Sequence, residues 1–286
     1  VADDPPNTDP FAERMKQFLA AQQKRIDDHN AMREGRPYQD AIALVDRLIV
    51  EYGLGINAIE LAATRDPGLF EEQITLRIKQ HFVQSMIAAS SMIKEGLHDP
   101  AKREMRFLVE ASVKSLWLDS GCPAIQKSKV EEPRPVLSGV AEKVAALDGL
   151  GRERFSAVVD SLKFGLLDGA AADLYRQTAK SLFSKLSTTT HISSRDVARD
   201  LSNFDKGRHF AFETVADVNA ITALLKQVLD FALASHFEAF DHDLVGDIFE
   251  PPIAKRWSFL KTPLVSAIDR HFDYKAERQS KPQNRS

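Results

Sequence analysis

Two stretches of the chain place side chains suited to acid–base or phosphate chemistry one helical turn apart. The segment LYRQTAKSLFSKLSTTTHISSRD begins at Leu174 and gathers Ser187, three threonines and His191. Ser187 and His191 are four residues apart, so a continuing helix sets them on one face. His191 can give or take a proton near neutral pH, and Ser187 can orient it. Tyr175 lies about three turns earlier, roughly in line. No third member of a nucleophilic triad accompanies them. The plainer alternative is a helix terminus, because Ser and Thr hydroxyls compete for backbone groups.

The second stretch is RFLVE, from Arg106 to Glu110. Its charged ends share a helix face and can pair. Phe107, Leu108, Val109, Val113, Leu116 and Trp117 surround them, which puts the pair at the edge of a core. An exposed pair contributes a few tenths of a kcal/mol, whereas a buried one demands partners. A third cluster, SHFEAFDHD, holds His236, Glu238, Asp241, His242 and Asp243. These are nitrogen and oxygen donors of the kind a divalent metal takes. Their spacing matches no helical metal motif, so crowding at a helix exit is the preferred reading and no metal is assigned. EYGLGIN and DGLGRER lack the strand-before-helix setting and glycine spacing of a phosphate loop. No cofactor is assigned.

These residues need helices to position them, and helix signals dominate. Asp9-Pro10, Asp66-Pro67 and Asp99-Pro100 each read as a capping Asp before a first-turn proline. The first helix is expected to run to about His29, with a break at Gly35 to Pro37. A second follows from Asp40, bent or split at Gly53 and Gly55 before Ile56 to Thr64. The third is expected to run unbroken to near Gly96, and the fourth to near Gly121. Cys122 to Val136, with its three prolines, reads as an exposed loop. Ser138 is expected to cap a helix to about Leu147, and another spans Arg152 to Leu166. The Tyr175 helix starts at Gly169 or Ala170. Arg208 to Glu213 alternates like a short strand. Thr214 to Asp217 has capping-box form and opens a long apolar helix to about Phe240. Short helices follow Pro251-Pro252.

The chain has 286 residues, 43% hydrophobic and 28% charged, with a net charge of −3. That balance suits one globular helical domain and supplies no global attraction to nucleic acid, leaving room for a local basic patch. The single cysteine, Cys122, excludes an intrachain disulfide and fits a reducing, cytoplasmic setting. No continuous apolar run reaches the roughly 20 residues of a membrane span, and VADDPPNTDP lacks a signal's apolar core. No membrane partner is expected. The first nine residues and 275–286 are polar and expected to be disordered. Residues 10–274 read as one all-α domain, with its core at roughly 70–240.

RFLVE on one helix, with Y…LS…H on a later one, resembles a bacterial group of HEPN-like helical proteins. The matching residues are Arg106, Glu110, Tyr175, Leu186, Ser187 and His191. The resemblance implies an antiparallel helical bundle, here with additional short C-terminal helices. It also implies an RNA-directed role of toxin or defence type, with RNA as ligand and a second copy of the chain as partner. The usual HEPN site is an Arg followed by His after four to six residues on one helix. No arginine here has that spacing, and Arg195 and Arg199 follow His191 instead. A variant site would use His191, Arg106 and Glu110 for chemistry, with Tyr175, Ser187 and Arg195 holding substrate. The alternative is a non-catalytic helical module binding a protein or nucleotide, its polar residues knitting the bundle. Either way, Arg106, Glu110, Tyr175 and His191 are expected in one neighbourhood.

Overall fold

The computed structural model describes residues 10–66, 68–120, 139–187, 197–198, 201–202, 213–240, 242–249 and 257–272. Among them the chain is all-α, a packed helical bundle without strands. The helices are α1 (Pro10–Glu34), α2 (Arg36–Ala63), α3 (Gly68–Glu72), α4 (Ile74–Arg77), α5 (Lys79–Lys94) and α6 (His98–Asp119). They continue as α7 (Val140–Leu150), α8 (Phe155–Ser161), α9 (Gly169–Ser187), α10 (Val215–Glu238) and α11 (His242–Ile248). A short 3-10 turn (Ser258–Lys261) leads into α12 (Pro263–His271). The Cys122–Val136 segment, Ser138, Pro67, Arg208–Phe212, Pro251-Pro252 and both ends lie outside the described residues.

α10 forms the centre. Every residue from Val228 to Phe240 is buried, so this helix is apolar all round. By length and composition α10 is also the one helix among those described that could cross a membrane. With 67% of that window buried, its apolar surface is already spent on its neighbours. α2, α6 and α12 pack directly on it. The inner face of α6 supplies Met105, Leu108, Val109, Val113 and Leu116, all fully buried. α5 and α6 form a hairpin. Gly96 adopts φ 74°, and Leu97 N–H reaches the Met92 carbonyl at 2.7 Å, closing α5 as a Schellman turn.

Several helix boundaries differ from expectation, each for a physical reason. α1 runs on to Glu34, and α2 begins at Arg36 with Pro37 in its first turn. α2 is continuous through Gly53 and Gly55. A Cβ on Gly55 would lie 2.7 Å from Leu233 Cδ2 and 2.9 Å from Trp257 Cζ2, so this glycine admits two neighbours rather than bending the helix. The expected single helix from Asp66 is three pieces. Gln73 is extended (φ −90°, ψ 122°) and donates to the Ala239 carbonyl at 2.9 Å. The helix expected over Arg152 to Leu166 is only α8, because the N–H groups of Gly165, Leu166 and Leu167 turn to the Glu238 carboxylate. The capping box at Thr214 forms: Thr214 Oγ1 accepts from Asp217 N–H at 3.2 Å, and Asp217 accepts from Thr214 N–H at 2.9 Å.

Asp119, at the end of α6, fastens the break. It accepts from Ile74 N–H (3.0 Å), Thr75 N–H (2.8 Å) and Thr75 Oγ1 (2.6 Å), which caps α4 from another helix. Lys143 of α7 donates to Asp119 at 3.0 Å and to the Glu72 carbonyl at 2.7 Å, and both side chains are fully buried. Removing one partner of such a pair strands the other charge without water. Lys143→Met should therefore lower unfolding free energy by about 3–5 kcal/mol in urea titrations. A loss below about 1 kcal/mol, the range of an exposed pair, would show that Asp119 is not sealed from solvent.

Candidate functional site

RFLVE lies in the middle of α6, and its two charged residues meet as the spacing predicts. Arg106 Nε donates to Glu110 Oε1 at 2.7 Å, with both side chains half-buried. The Arg106 guanidinium also sits over the Phe183 ring, 4.7 Å from its centroid. Phe183 in turn stacks on Phe155 at 4.1 Å and 9°. One helical turn beyond Glu110, Lys114 approaches the same carboxylate at 4.0 Å. Arg106, Glu110, Lys114, Glu153, Phe155 and Phe183 line an open pocket of about 130 Å³, floored by Val113, Leu150 and Val158. Exposed Arg103, Arg152 and Arg154 flank these residues in sequence.

Local packing explains the arrangement. α6 turns its apolar side to α5 and α10, which leaves Arg106, Glu110 and Lys114 along one outer stripe. α8 and α9 close over that stripe and deliver the two phenylalanines. Tyr175 is not there. It is fully buried two turns before Phe183, with its hydroxyl 2.7 Å from Ser235 Oγ and its ring against Phe164 and Phe231. Burial raises its pKa above the ordinary phenol value. The expected single neighbourhood of Arg106, Glu110 and Tyr175 is therefore divided: the first two rim a pocket, and the third belongs to the core. Ser187 is the last residue of α9, one turn beyond Phe183, and donates to the Phe183 carbonyl at 2.5 Å. That is the backbone competition expected at a helix end. His191, Arg195 and Arg199 lie outside the described residues.

Lys114, Glu153, Phe155 and Phe183 were not singled out from the sequence. Lys114 had a usable signal, four residues after Glu110. The phenylalanines had none, since they come from separate helices.

The His236–Glu238 cluster takes up structural duties. His236 Nδ1 donates to the Ala232 carbonyl at 2.6 Å, and Phe82 packs edge-on to the ring at 4.7 Å. Burial pushes the imidazole down to about 4. Glu238 receives the three loop N–H groups, and burial, opposed by those bonds, pushes its carboxyl up to about 7. Asp241 is not described, nor are the side chains of His242 and Asp243. Among the described residues no three His, Cys, Asp or Glu side chains are grouped to hold a metal.

No family model, curated protein or solved structure matches the chain. Among the described residues the protein is all-helical, with about 12 helices.

The two buried groups act oppositely on stability. His236 has a folded pKa of about 4 against an ordinary 6.5, so the folded state binds fewer protons across that window and loses stability as pH falls through it. The full shift corresponds to about 3 kcal/mol. Glu238 has a folded pKa of about 7 against 4.5, so the folded state holds an extra proton and loses stability as pH rises through that range. Between pH 4.5 and 6.5 the two partly cancel. His236→Gln should remove the first effect, so that stability falls more steeply from pH 4.5 to 6.5 than in the parent. Parallel stability curves for the two proteins would contradict this assignment.

Proposed function

We propose that the chain is an RNA-directed helical protein of the HEPN-like kind, and that the α6–α9 pocket receives one phosphate of the strand. The observation that carries this reading is Arg106, oriented by Glu110 and Phe183 at the rim of an open pocket beside Lys114. Pockets that swallow a whole ligand measure about 300–1,000 Å³. One of about 130 Å³ fits a single phosphate, with the rest of the ligand outside. Exposed Arg103, Arg152 and Arg154 lie close in sequence to pocket residues, on a chain whose net charge is −3. The resemblance of RFLVE and Y…LS…H to HEPN-like proteins supports the same reading.

α9 ends at Ser187, one turn past the pocket residue Phe183. In the variant site that the HEPN-like resemblance implies, His191 is the proton-transfer group, with Arg106 holding phosphate and Arg195 assisting it. The non-catalytic alternative draws on Tyr175, whose hydroxyl is spent on Ser235 within the core.

Fluorescence anisotropy with a short single-stranded oligoribonucleotide tests the reading. Arg106→Gln should weaken binding about tenfold or more and reduce the salt slope by about 1. His191→Ala should abolish strand cleavage while affinity and melting temperature barely move. Cleavage unaffected by His191→Ala would remove its catalytic role. Binding unaffected by Arg106→Gln would sink the proposal.

A further inference from the structure

Two apolar stripes lie open on the first two helices. No residue of α1 is buried, and Met15, Phe18, Leu19 and Ile26 are between 40% and 59% exposed. On α2, Val50, Leu54 and Leu61 are between 48% and 73% exposed. Helical spacing sets each group on one face. Met15 to Ile26 and Val50 to Leu61 cover the same number of positions, about 16 Å of helix. Their net charges are opposite in sign. α1 carries Arg14, Lys16, Lys24, Arg25 and Arg33 against Glu13, Asp27, Asp28 and Glu34, while α2 carries Asp40, Asp46, Glu51 and Glu60 against Arg36 and Arg47.

The two stripes cannot cover each other within one chain. A single non-helical residue, Gly35, joins α1 to α2, and folding one helix back on the next takes a loop of about 2–5 residues. The root of α1 is also fixed. Arg33 donates to the Lys94 carbonyl at 2.5 Å. Buried Glu213 lies 3.7 Å from His29 and 3.9 Å from Arg33, and accepts from Tyr38 at 2.8 Å. α1 therefore stands off the bundle as an arm anchored at its C-terminal end.

We propose that the occupant is a second copy of this chain: α1 of each copy lays its stripe on α2 of the other. The pairing is reciprocal, so a two-fold axis closes it and leaves neither stripe exposed. Equal length and opposite net charge favour this partner over α1 pairing with α1, which would set like net charges together.

Sedimentation equilibrium of the full chain at micromolar concentration tests it. The parent protein should show twice the chain mass. Phe18→Glu on α1 and Leu61→Glu on α2 should each give the single-chain mass with an unchanged helical dichroism spectrum. Both positions are exposed, so neither change disturbs the core, and Leu19→Glu and Val50→Glu provide second variants with the same expected outcome. A parent protein of single-chain mass would overturn the proposal. So would a dimer that survives Leu61→Glu and Val50→Glu, which would mean that α1 pairs with itself. A single-chain parent that floats with vesicles of anionic phospholipid and loses this with Phe18→Glu would assign the stripe to a lipid surface instead.

Discussion

Buried carboxylates that accept N–H groups from distant segments hold this bundle in register. Asp119 caps α4 across 45 residues of sequence. Asp230, on the central helix, accepts from Thr262 Oγ1 at 2.6 Å and from Leu264 and Val265 N–H, which caps α12. Glu238 gathers the loop before α9. Half-buried Glu51 likewise accepts from Ser258 N–H at 3.0 Å where the 3-10 turn begins. Short helices cannot stabilise themselves in isolation, and each of these ends borrows an acceptor from a long helix. Burial makes the arrangement demanding, because a carboxylate out of water must be nearly saturated with donors.

The pocket depends on two of these fastenings. Asp119 and Lys143 tie α7 to α6, which fixes Leu150 and Glu153 beside Arg106. Glu238 holds the loop between α8 and α9, the helices that carry Phe155 and Phe183. The outer stripe of α6 then needs only its local ion pair to aim Arg106. The pocket at the surface is thus positioned by polar contacts in the core, and a loss at either fastening would reach the pocket without touching it.

What could be read from the sequence follows the range of the interaction. The Arg106–Glu110 pair and the Thr214 capping box rest on contacts within four residues, and the spacing alone revealed them. α6, by contrast, begins at His98, so Asp99 lies inside its first turn, paired with Lys102, and does not cap it. The break at Gln73 and the short α8 rest on partners over 70 residues away, Ala239 and Glu238, so a local reading extended both helices. Gly55 looked like a helix breaker because its reason for being glycine, Leu233 and Trp257, is equally remote. The same limit divided the site. Tyr175 and Phe183 share a helix, but only the packing of α6 and α10 against it shows that one faces the core and the other the pocket.

The central claim is that Arg106 is the phosphate-holding group of this bundle. The most direct measurement is a nitrogen-edited NMR spectrum of the arginine side chains during titration with a short single-stranded oligoribonucleotide. The account predicts that the Arg106 Nε–H resonance, assigned through Arg106→Lys, shifts early and saturates with the ligand, while Arg33, tied to Glu213 just before α10, stays in place. An unmoved Arg106 resonance at saturating ligand would contradict it.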